Sequence, residues 1–153
     1  MTRLSLAAIA VVLTCPAFTA YGQQHAHTRT DRAEKLGTVH FATSCSPRIA
    51  PQFDRAVALL HSFEFGASIK AFNQVLAADS TCAMAHWGIA LSRWGNPMAP
   101  GNRSLAQLQQ AKQSVDAAMR LADHASERER GYISAVSRLY NDFENKDQRT
   151  RVV

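Results

Sequence analysis

Three apolar stripes of helical period follow one another between residues 53 and 91, and they leave few folds open. Phe53, Ala56, Val57 and Leu60 stand three, one and three apart, and Met84, Trp87, Gly88 and Leu91 repeat that order. Between them, Ile69, Phe72, Val75 and Leu76 mark a third stripe. Such spacing places each set on one side of a helix, and an element with one apolar side must bury it against another. Phe53 and Met84 lie 31 residues apart, the interval of a short tandem helical repeat. The stripes therefore predict an all-α chain of antiparallel helical hairpins, stacked as a short solenoid.

Local signals supply the boundaries. Ser46 followed by Pro47 predicts a helix start, because proline lacks the N–H that would go unsatisfied in the first turn, and this helix should end near Ser62. A short link, Phe63 to Gly66, forces the next helix, "ASIKAFNQVLAAD", back along the first. Asp79 and Ser80 are expected to cap a third helix inside "STCAMAHWGIALSRWG". Gly95, Asn96, Pro97, Pro100 and Gly101 make a longer loop. "SLAQ" and "SERE" have the capping-box pattern and open a fourth helix, with Leu108, Ala111, Val115, Ala118 and Met119 on its face, and a fifth, with Ile133, Val136 and Tyr140. The helical domain is expected over 46–145, with a truncated tail over 146–153.

The N-terminus reads differently. Arg3, an apolar run from Leu4 to Leu13 and the small residues Ala20 and Gly22 around Tyr21 follow the order of a secretory signal peptide, and the run is too short to span a bilayer. Residues 1–22 are therefore expected to be cleaved, leaving a periplasmic or secreted protein with no membrane contact. A polar arm over 23–45 is expected to be flexible, with Thr38 to Phe41 as a short extended piece whose last residues pack down on the domain. With 46% apolar and 19% charged residues in 153, the remainder suffices for one globular domain. Losing Arg3 lowers the formal charge from +5 to +4, basic and acidic residues stay mixed, and no run of aromatics and arginines offers a base-stacking surface. Nucleic acid is excluded as the expected partner.

Leader cleavage also removes Cys15, leaving Cys45 and Cys82. In an oxidising compartment this pair reads as a disulfide, with two buried thiols as the alternative. Cys82 and His86, four apart, share a helical face at a separation found among metal ligands, but further donors would have to come from Cys45, His40 or the "HAH" of His25 to His27. A metal site needs three or four converging donors, and no second Cys/His pair and no C-x-x-C-H is present. No metal and no cofactor is assigned. A Gly-rich phosphate loop, a G-x-S-x-G elbow and an H-E-x-x-H helix are all missing, so no catalytic residue is assigned and the chain is not read as an enzyme. The charged run Glu127 to Arg130 reads as the solvated first turn of a helix.

Phe65, Ser68, Phe72, Val75, Leu76, Asp79 and Ser80, followed by Met84, Trp87, Gly88 and Leu91, resemble the tetratricopeptide-repeat (TPR) family. The first group matches the second helix of one repeat and its turn, with serine in place of the usual proline. The second group matches the first helix of the next. Val57 and Ser137 stand where glycine is usual in the flanking repeats. More narrowly, "FDRAVALLHSF", "CAMAHWGIALSRWGNP" and "RERGYISAVSRLY" are similar to a group of exported bacterial proteins of this repeat class with no assigned reaction. Because members of that group continue into further hairpins, the resemblance implies that this chain is an N-terminal fragment.

Within this pattern Phe53, Leu60, Phe65, Phe72, Met84, Trp87, Gly88 and Leu91 are the expected repeat-packing residues. A glycine inside a helix costs about 1 kcal/mol relative to alanine, so Gly88 implies a close helix contact. Two hairpins and a lone fifth helix fall short of the three or so repeats a solenoid usually needs, so marginal stability or self-association is expected. The resemblance further implies a protein-interaction scaffold whose first helices line a concave groove for a peptide or protein partner. Asp54, His61, Ser62, Ser92, Arg93, Arg138, Asn141 and Asp142 lie off the packing stripes and are the candidate groove residues. The alternative function is a metal-binding or redox accessory protein using Cys45, Cys82 and His86.

Overall fold

The computed structural model describes residues 36–96, 98, 103–147, 150 and 151. The expected signal peptide, the "HAH" arm, Pro97, Pro100, Gly101 and the terminal Val152 and Val153 lie outside the described residues. Five α-helices carry the fold: α1 Ala50–His61, α2 Phe65–Ala78, α3 Ala83–Trp94, α4 Leu105–Arg120 and α5 Glu127–Leu139. Single 3₁₀ turns at Pro47–Ile49 and Ala122–His124 precede α1 and α5, and no strand occurs among the described residues. No described helix is long and apolar enough to cross a membrane.

Each helix packs on its successor, and α1 on α3 and α3 on α5 pack as well. Helix α3 is thus the hub, and its sequence fits that position. Ala83, Met84, Ala85, Trp87, Gly88, Ile89, Ala90, Ser92 and Trp94 are all buried. The outer helices α4 and α5 bury only narrow stripes, Leu108, Ala111, Val115 and Ala118 on one, and Ile133 and Val136 among those on the other. A helix that is apolar nearly all round belongs inside, and one with a single stripe belongs outside.

Small residues let the first three helices approach closely. The Phe72 ring stands edge-on to Phe53, 5.4 Å between centroids, and lies directly over Gly88. A Cβ at Gly88 would stand 2.6 Å from Phe72 Cε1 and closer still to Cζ and Cε2, so only glycine fits. Alongside, Ser68 Oγ donates to Ala56 O at 3.0 Å and stands 3.0 Å from Ser92 Oγ, which in turn donates to Gly88 O at 2.7 Å. This buried polar chain ties α1, α2 and α3 together with its hydroxyls partnered, as burial of polar groups requires.

Both capping boxes form. Ser104 and Gln107 exchange reciprocal bonds at the start of α4, and Ser126 and Glu129 do the same at α5. Two starts differ from expectation. Asp79 and Ser80 do not cap α3, whose N-cap is Cys82 without a side-chain bond. The Asp79 carboxylate instead accepts from Ser46 N–H at 2.8 Å, Thr81 N–H at 3.1 Å and Thr81 Oγ1 at 2.7 Å. Helix α2 begins at Phe65, inside the expected link, so the α1–α2 connection is tighter. Phe63 takes φ 61° there, a left-handed conformation that makes so short a reversal possible. At the end of α3, Gly95 takes φ 78°, and Arg103 reaches back to donate from Nε and Nη2 to Trp94 O at 3.2 and 2.5 Å. Tyr140 closes the far side: its hydroxyl donates to Ala90 O at 2.8 Å, and burial raises its pKa.

Candidate functional site

The non-helical segment 36–44 lies across α1, α3 and α5, and Phe41 anchors it. The Phe41 ring is 5.8 Å from Phe53 of α1, 5.7 Å from Trp87 of α3 and 5.6 Å from Tyr132 of α5. Trp87 and Tyr132 are themselves 5.8 Å apart, so the three helices present one aromatic socket. Ring pairs at these separations add to the gain from area burial alone. Arg128 covers the socket with its guanidinium 5.3 Å from the Phe41 centroid while its Nη2 donates to Ala42 O.

Polar contacts flank the anchor on both sides. Asp54 accepts from Phe41 N–H at 2.8 Å, and His40 Nδ1 stands 3.6 Å from its other oxygen. Glu129 Oε1 accepts from Ser44 N–H at 2.8 Å, and Oε2 accepts from the Ser44 hydroxyl and from Ser126 N–H at 2.7 Å. Glu129 is 1% exposed, which overturns its expected role in a solvated turn. Burial works to raise its pKa, but the hydrogen bonds from Ser44 and Ser126 outweigh that and hold it below the ordinary value. Hydrogen bonds from Ser46 and Thr81 lower Asp79 in the same way. Beside these contacts Cys45 and Cys82 form a disulfide, S–S 2.05 Å with Cα atoms 4.9 Å apart, which fastens the C-terminal end of the segment to the start of α3.

A second feature lies between α2, α3 and α4, a cleft of about 490 Å³. His86, Ile89 and Arg93, at helical spacing on α3, form its floor, with Asn73 and Leu76 of α2 on one wall and Gln110, Gln113, Ser114 and Ala117 of α4 on the other. Arg93 Nη1 donates to Gln110 Oε1 at 2.9 Å. Burial, and secondarily the charge of Arg120, lowers the pKa of His86 and favours its neutral form.

The residues singled out in the sequence divide between these places. Phe53, Leu60, Phe72, Met84 and Trp87 lie in the core around Gly88, with Phe65 and Leu91 packed against it. Among the groove candidates, Asp54 holds the 36–44 segment, and Arg93 faces the second cleft. His61 and Ser62 stand at the end of α1, and Arg138, Asn141 and Asp142 at the end of α5 and just beyond it. Ser92 is a correction: it is 2% exposed and bonded to Ser68 and Gly88 O, because α3 is enclosed on nearly all sides and leaves no polar flank there.

Cys82 and His86, four residues apart, also diverge. Cys82 Sγ is bonded to Cys45, whereas His86 lines the cleft toward α4, and no described group of three His, Cys, Asp or Glu could hold a metal. Phe41, Tyr132, Arg128 and Glu129 were not among the candidate site residues. The capping box placed Glu129 against Ser126, but nothing local marked its bonds to Ser44, 85 residues away. Compared with known proteins, the chain matches no family model, no curated protein and no solved structure.

Proposed function

We propose that this chain is an exported, TPR-like interaction module whose recognition surface is the aromatic face of α1, α3 and α5, and that this face takes a non-helical peptide of a partner protein. One observation carries the reading: the chain's own segment 36–44 sits on that face as a peptide ligand would. An aromatic anchor enters a socket built by three helices, and its backbone is read by Asp54, Arg128 and Glu129. Anchors in pockets supply affinity, while bonds to the main chain set register. The packing of α1 on α3 and α3 on α5 supports the solenoid arrangement, in which first helices of successive hairpins share one face. The Cys45–Cys82 bond supports export, since disulfides persist in oxidising compartments.

A labelled peptide of residues 36–44 (LGTVHFATS), supplied in trans to the Phe41→Ala variant, tests this by fluorescence anisotropy. The peptide is expected to bind the emptied socket, and adding Tyr132→Ala and Arg128→Ala is expected to weaken it about tenfold or more, the scale of losing a hot-spot contact. Binding no better than that of the same peptide with its phenylalanine replaced by alanine would refute the reading.

A further inference from the structure

The Cys45–Cys82 disulfide stands where segment 36–44 ends, and the contacts on its two sides differ in kind. Up to Ser44 the segment is held on the aromatic face by ring contacts, the Arg128 guanidinium and hydrogen bonds to Asp54 and Glu129. The next residue is covalently fixed to the start of α3. Ser46 follows with its N–H on Asp79, directly before the 3₁₀ turn that leads into α1. Pinning Cys45 to α3 therefore keeps Ser44 against Glu129, and opening the bond leaves Ser46 as a pivot.

The two cysteines are not equivalent. Cys45 is partly exposed and lines a small hollow with Ser44, Thr81, His124 and Glu129, whereas Cys82 is 1% exposed. Cys82 is also the N-cap of α3, where no side-chain bond caps the helix. A helix N-terminus favours a thiolate, and a disulfide opens faster when the departing sulfur is the more stable thiolate. The reachable sulfur and the better leaving sulfur thus belong to different residues, Cys45 and Cys82.

We propose that the Cys45–Cys82 bond is a redox latch that keeps segment 36–44 on the aromatic face, and that a dithiol reductant opens it to free the face for a partner peptide. A thiolate of the reductant attacks Cys45 Sγ, the S–S bond breaks, and its electron pair leaves on Cys82 Sγ at the N-terminus of α3. The second thiol of the reductant then attacks the mixed disulfide and releases Cys45. In sum the dithiol is oxidised to a disulfide, and its two electrons and two protons end on Cys45 and Cys82. A partner then competes with a segment hinged at Ser46 instead of one clamped at its base, and its apparent affinity rises with the fraction of faces left open. The inference rests on the reading of this face as a recognition surface and adds what controls access to it.

The test uses the full mature chain, without Cys15, and dithiothreitol as the dithiol. On reduction, hydrogen exchange of segment 36–44 should rise about tenfold or more while far-UV circular dichroism keeps its helical signal. The labelled peptide 36–44 should bind the reduced chain about tenfold or more tighter than the oxidised one. Cys45→Ser should match the reduced chain with or without dithiothreitol. The Phe41→Ala variant, whose socket is empty in either state, separates this proposal from the reading it rests on. If the peptide binds that variant but the unmodified chain lacks either change on reduction, the latch is refuted and the recognition surface stands. If the peptide binds no form, the recognition surface fails and control of access fails with it. Loss of the helical signal on reduction would also refute the latch, because the bond would then hold the whole domain and not the segment.

Discussion

Replacing Gly88 by alanine separates two opposed effects whose sizes are known. Alanine in a helix interior is favoured over glycine by about 1 kcal/mol, because the glycine chain loses more backbone freedom on folding. At Gly88 the new methyl would meet the Phe72 ring at 2.6 Å from Cε1, with two other ring atoms nearer. That ring is fully buried and backed by Phe53, so it cannot swing aside, and overpacking of this kind costs about 1–3 kcal/mol. Gly131, within α5, is the control: it is exposed and a Cβ there meets nothing within 4 Å. Gly131→Ala should therefore stabilise the chain by about 1 kcal/mol, and the difference between the two substitutions isolates the steric cost of about 1–3 kcal/mol. Urea unfolding followed by far-UV circular dichroism measures both. In a Phe72→Leu background the penalty at Gly88 should shrink, since the clashing atoms are gone. If Gly88→Ala stabilises as much as Gly131→Ala, the close approach of α2 and α3 is wrong.

Other parts of the structure give independent tests. Removing the disulfide with Cys45→Ala and Cys82→Ala opens a link between residues 37 apart and should cost about 4 kcal/mol in chain-entropy terms, read as a lower urea midpoint; a loss under about 1 kcal/mol would contradict a constraining role. Asp79 and Glu129 have folded pKa values below their unfolded ones, so the folded chain resists protonation that the unfolded chain accepts. Their contribution is fully present above the unfolded carboxylate range near pH ~4 and is lost as pH falls through the folded values; an acid titration of stability should show this loss and Glu129→Gln should reduce it. Tyr140→Phe deletes the donor to Ala90 O and should lower stability by about 1 kcal/mol in the same unfolding assay.

Helix existence and type were readable because their causes are local. The stripes from Phe53 to Leu91 act over one or two turns, and the boxes at Ser104 and Ser126 act over three residues. Where local signals misled, a distant partner had captured the side chain. Asp79 carried the marks of a cap, but Ser46 N–H and Thr81 took its oxygens and left Cys82 as the N-cap. Glu129 had the composition of a solvated turn, yet Ser44 arrived from 85 residues away to bury it.

The candidate site was less legible than the fold for the same reason. An aromatic such as Tyr132 can face a core, a socket or solvent, and its meeting with Phe41 and Trp87 depends on how α1, α3 and α5 lie together. Cys82 and His86 share helical spacing but serve different surroundings, because α3 is enclosed on several sides at once. By itself the sequence determined that the described domain is helical, where most helices start, and that Gly88 needs a close neighbour. Only the tertiary structure decided that the neighbour is Phe72 and that segment 36–44 covers the aromatic face. Periodicity and capping are written in residues a turn apart, whereas these contacts join residues brought together by the packing of whole helices.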